Sequence, residues 1–68
     1  MIRGKLCRVK QPTGFYVHSE MISQDVHRVM KGDELVLCLG ESDGDFERVV
    51  DVKGTTGWLW GGYLREIQ

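Results

Sequence analysis

Proline is almost missing from this 68-residue chain: Pro12 is the only one. That excludes a proline-rich linker or a stiff polyproline segment. No apolar run approaches the roughly 20 residues needed to cross a bilayer as a helix, so no membrane span is expected. No Cys-x-x-Cys or His-x-x-x-His pair is present, and Cys7, His18, His27 and Cys38 stand far apart as singletons. That spacing gives no local metal motif, and no metal or cofactor is expected. An excess of positive charge is missing too: nine basic and ten acidic residues leave a formal net charge of −1. A sequence-independent grip on nucleic acid rests on many Lys and Arg contacts to phosphates, so nucleic acid is not an expected partner.

The first ten residues, "MIRGKLCRVK", hold four basic side chains but no continuous apolar stretch. A secretory signal is therefore not expected. The expectation is a cytoplasmic protein with reduced thiols, with a phage-encoded or envelope-associated context as the alternative. Cys38 lies inside "LVLCL", where a small buried hydrophobe is the simplest role. Sequence alone does not place Cys7 close enough to Cys38 to decide whether they pair. Length gives one domain over residues 1–68, near the lower limit for folding without staples.

What is plentiful is glycine in turn-forming company. Turn signals stand at "QPTG" (11–14), "KGD" (31–33), "SDGD" (42–45), "KGTTG" (53–57) and "GG" (61–62). Between them lie short runs rich in Val, Leu and aromatics, which predicts an all-β barrel or sandwich. Five strands are readable at about 4–10, 26–30, 34–39, 46–52 and 56–60, with a short closing strand near 64–67. Residues 19–25, "SEMISQD", read as part of a long loop. In "ELVLCL" the alternation of Leu35, Leu37 and Leu39 offers one face to a core. "SDGD" and Lys53-Gly54 predict two hairpins that tie three strands into a central meander.

The run "FYVHSE", "VHRVMKGDELVL", "ESDGDFERV" and "KGTTGWLWGGYLREI" resembles the bacterial Src-homology-3-like (SH3-like) domain over about residues 5–67. The resemblance implies a small five-stranded barrel with a short 3₁₀ turn before the last strand. Trp60-Gly61-Gly62-Tyr63 falls where that turn would be. Two departures bear on binding. Val17 is followed by His18-Ser19-Glu20-Met21 where the family has Arg-Ser-Gly-Pro, and Phe46 stands where a Trp is usual. A ligand relying on that indole N–H would not be held.

The aromatic residues are the main candidates for function. In a strand Trp58 and Trp60 share one face and Leu59 takes the other, so both indoles are expected to face outward. The expected ligand-binding set is Tyr16, His18, Phe46, Trp58, Trp60 and Tyr63, and Tyr63 matches the position that lines the family's peptide groove. Glu20, Asp43, Asp45 and Glu47 are candidates for an acidic rim that selects basic ligand residues. The acidic tip 41–45 is not a calcium loop, because Val52 stands where the twelfth-position Glu would be. Catalysis is not expected: nothing local activates either cysteine, and a barrel this small is expected to lack room for a deep pocket of several hundred Å3.

The expected function is that of a non-catalytic module binding a protein or peptide. The alternative implied by the resemblance is a cell-wall module that holds peptidoglycan cross-bridge peptides. A third reading is a structural subunit forming homo-oligomers through its tryptophan face.

Overall fold

Each run of β-branched and aromatic residues forms an extended segment, and each glycine-bearing cluster turns the chain. The computed structural model describes residues 4–19 and 25–67. Its strands are β1 (Lys5–Val9), β2 (Thr13–Tyr16), β3 (Val26–Met30), β4 (Leu35–Asp43), β5 (Phe46–Asp51), β6 (Thr56–Trp60) and β7 (Leu64–Glu66). A single 3₁₀ turn, Gly61–Tyr63, separates β6 from β7. All pairings are antiparallel, in the order β3-β2-β6-β5-β4-β1-β7. The all-β expectation and the meander β4–β5–β6 both hold.

Two corrections follow. Seven strands form rather than five with a closing strand; the addition is β2, whose first two residues, Thr13 and Gly14, fall inside the turn signal at 11–14. The hydrogen-bonded order is also open, since among the described residues no ladder joins the edge strands β3 and β7. The expected loop at 19–25 falls largely on residues 20–24, which lie outside the described residues, as does Glu20.

The first hairpin turns through Gly44 and Asp45, with positive φ at Gly44 alone (61°), where glycine is least costly. The second spans residues 52–55. Here the Asp51 carboxylate accepts hydrogen bonds from the Lys53 and Thr55 amides, so a side chain organises the turn.

The core is Cys7, Val9, Phe15, Met30, Val36, Cys38, Val49 and Leu59, with Leu64 packed against it. The expected core face of β4 is thus reversed: Val36 and Cys38 point inward, while Leu35, Leu37 and Leu39 are half-buried on the other face. A run apolar at every position offers both parities, and its neighbours decide. Cys38 lies opposite the core residue Val49, whereas Leu37 lies opposite Leu6 and Val50.

Gly57 leaves no room for a side chain. It lies within β6, and a Cβ there would come 2.6 Å from the Phe15 ring and 2.8 Å from the Tyr16 carbonyl oxygen. Glycine at 57 is therefore required by close approach of β2.

Candidate functional site

The register of β5, β6 and β2 sets the aromatic face. Phe46 lies opposite Trp60, and Arg48 and Tyr16 both lie opposite Trp58. All five therefore share the face turned away from Leu59, which is fully buried. They are not equally free. The Tyr16 ring folds over Gly14, where a Cβ would meet it at 2.9 Å, and it meets Phe46 edge-on at 5.9 Å. Phe46 is buried. The Arg48 guanidinium lies over the half-buried Trp58 ring at 5.9 Å and approaches Glu41 at 3.6 Å. Its Nε is covered and has no hydrogen-bond partner among the described residues.

Trp60 and Tyr63 form a second group, ring centroids 4.8 Å apart and nearly perpendicular. Trp60 is the most exposed of the six aromatic residues, at 37%. His18 is exposed but makes no aromatic contact with the others, whereas His27 lies 5.1 Å from the Phe15 ring. The structure thus assembles Tyr16, Phe46 and Trp58 with Arg48, sets Trp60 with Tyr63 beside them, and leaves His18 outside both groups.

Beside Trp60 opens a cleft of about 510 Å3. Its lining comes from Lys5 and Cys7 of β1, Cys38 of β4, the first hairpin, Glu47 of β5, Trp60, the two glycines after it, Leu64 and Glu66. The cleft is open to solvent rather than an enclosed pocket. Three carboxylates line the cleft, from Asp45, Glu47 and Glu66, against one ammonium, Lys5. Lys5 is engaged with Glu66 at 2.7 Å, a hydrogen bond that raises the lysine's pKa. Glu47 accepts a hydrogen bond from the Ser42 hydroxyl at 2.7 Å. Negative charge therefore predominates there. Of the expected acidic rim, Asp45 and Glu47 line the cleft, while the exposed Asp43 accepts a hydrogen bond from the Ser19 hydroxyl.

Cys7 and Cys38 sit in this cleft with their Sγ atoms 3.2 Å apart. Both are free thiols and buried. Burial, and next the hydrogen bond with Cys7, push the Cys38 thiol up to about 12. Among the described residues no group of three His, Cys, Asp or Glu side chains is placed to hold a metal ion. The thiols and Lys5, Leu64 and Glu66 carry no local motif. Only the pairing of β1 with β4 and β7 brings them to the Trp60 end.

The opposite end of β5 carries a second cluster that sequence spacing does not announce. The Arg28 guanidinium grips Glu34 with two hydrogen bonds, at 2.8 and 3.0 Å, and reaches Asp51 at 3.2 Å. Hydrogen bonds from Arg28 and the Lys31 amide pull the Glu34 carboxyl down to about 2. Burial alone would raise Asp51, but the Thr55 amide, Arg28 and the Lys53 amide together hold it below its ordinary value. Every charge of that cluster is engaged inside the protein, which marks it as structural.

The chain matches no protein-family model, no curated protein and no solved structure.

Proposed function

We propose that this chain is a non-catalytic binding module of SH3-like architecture. It recognises an extended protein or peptide segment through the Trp60–Tyr63 corner and takes a basic side chain or amino group into the adjoining cleft. The supporting observation is the juxtaposition of the most exposed aromatic residue with a cleft of about 510 Å3 lined by Asp45, Glu47 and Glu66. A flat indole supplies apolar contact and attracts cations through its ring face, and carboxylates without enough internal cations favour a positively charged ligand. Recognition then depends on shape and charge, and no bond is made or broken.

Anisotropy titrations with a labelled extended peptide rich in lysine and with its glutamate counterpart test this reading. Binding is expected for the lysine peptide only, weakening with salt. Trp60→Ala and Glu47→Gln should each weaken it about five- to tenfold. Equal binding of both peptides, or indifference to Trp60→Ala, would remove the proposal. Retention on purified cell walls that Trp60→Ala abolishes would move the ligand to peptidoglycan cross-bridge peptides, whose free amino groups suit the same acidic cleft. Concentration-dependent dimerisation lost in that variant would instead favour self-association.

A further inference from the structure

The binding reading makes no use of the two thiols in the cleft. We propose that Cys7 and Cys38 form a reversible dithiol–disulfide site, oxidised within the chain by small-molecule disulfides that reach it through the cleft. The inference rests on three placements. The residues stand on neighbouring antiparallel strands with Lys5 opposite Cys38 and Cys7 opposite Val36, so the two cysteines are diagonal partners on the same face. Their Sγ atoms are 3.2 Å apart, and a bond of about 2.05 Å requires only about 1.2 Å of further approach. Both line the cleft of about 510 Å3, which offers a small reagent a route toward thiols that are otherwise only 3% and 6% exposed. A thiol used solely as core filling needs neither the partner nor the opening.

The chemistry balances as two thiol–disulfide exchanges. The Cys7 sulfur, having lost its proton, attacks one sulfur of the small disulfide. A mixed disulfide forms on Cys7 and one small thiol departs carrying that proton. The Cys38 sulfur then attacks the Cys7 sulfur, the internal disulfide forms, and the second small thiol leaves with the Cys38 proton. Two protein thiols are oxidised and one small disulfide is reduced to two thiols. Burial and the hydrogen bond with Cys7 raise the pKa of the Cys38 thiol, which fits it to the second, resolving step.

The test treats the full chain with oxidised glutathione and reads intact mass under non-reducing conditions. The expected product is a monomer lighter by two hydrogens, restored by dithiothreitol, with a melting temperature raised on the order of 10 °C because the bridge closes a long loop. Peptide mapping should show Cys7 joined to Cys38. In Cys38→Ala the mixed disulfide should accumulate on Cys7, and Cys7→Ala should stay unmodified under the same treatment. Disulfide-linked dimers only, persistent mixed disulfide on the wild-type chain, or no mass change while an exposed-thiol peptide reacts would each overturn the proposal. Should either variant fail to fold, the wild-type mass and peptide map decide alone. The outcome is independent of whether the lysine peptide binds.

Discussion

At the Asp51 end of β5, two carboxylates share one guanidinium and three backbone amides. At the Asp45 end, three carboxylates line an open cleft with a single lysine among them. β5 contributes to both ends, and both gather groups distant in sequence. They differ in where the charges find their partners. A buried carboxylate with its cation inside the protein is fixed for folding, whereas carboxylates facing a cleft with too few cations keep capacity for something outside. The teaching is that burial and charge must be read together: the most perturbed carboxyl, Glu34, belongs to the structural end rather than the candidate site.

The largest expected effect sharpens that contrast. Arg28→Met leaves Asp51, whose side chain is 2% exposed, without its cation, and should cost about 3–5 kcal/mol in urea unfolding. Glu47→Gln at the cleft end should stay within about 0.5 kcal/mol. Equal costs would mean that the cleft carboxylates also hold the fold together.

A second pair of substitutions compares backbone crowding at the two ends. An alanine at 57 must displace the Phe15 ring or β2, and Gly57→Ala should cost about 1–3 kcal/mol. At Gly62 the nearest atom to an added Cβ is 3.9 Å away, in the Trp60 ring, so Gly62→Ala should be within about 0.5 kcal/mol of wild type. Thermal unfolding of both variants checks the difference, and a costly Gly62→Ala would show the 3₁₀ turn to be as tightly packed as β6.

Acid provides a third comparison. Glu34 has a folded value of about 2, below the ordinary value of 4.5, so its stabilising contribution is present above the unfolded value. It is lost as pH falls through the window from about 4.5 to 2, on the order of 1–2 kcal/mol. Glu34→Gln should flatten this part of the acid unfolding curve while lowering stability at neutral pH. An unchanged acid limb in that variant would show that Asp51, lowered by the Thr55 amide and by the same guanidinium, carries the dependence alone.

How much of this the sequence reveals follows from the range of each interaction. Hairpins at Gly44 and Gly54 are local, and Asp-Gly and Lys-Gly announce them within four residues. The opposite faces of Leu59 and its two tryptophans follow from the period of a strand. Strand β2 is hidden by its overlap with the turn signal at 11–14, and the inward face of "LVLCL" by the equal apolarity of both parities. The cleft is not local at all, since Lys5, Cys38 and Glu66 meet only through ladders between distant segments. For the same reason Arg28 and Asp51, 23 residues apart, read as ordinary surface charges until β3 and β5 are folded.

The smallest expected effect separates the two indoles. Trp58 is half-buried beneath Arg48, whereas Trp60 is more exposed and beside the acidic cleft. In Trp58→Phe, which leaves Trp60 as the only indole, a neutral quencher such as acrylamide should reach the ring readily. In Trp60→Phe the same quencher should be less effective by about twofold, because burial limits collisions. Charge then provides the finer reading: local carboxylates concentrate cations and repel anions within about 10 Å at 0.1 M salt. Caesium should therefore outperform iodide at Trp60 beyond their intrinsic difference, and Asp45→Asn with Glu47→Gln should erase that excess. Iodide and caesium retaining their free-indole ratio at Trp60 would mean that its surroundings carry no net negative potential, and the preference for basic ligands would lose its physical cause.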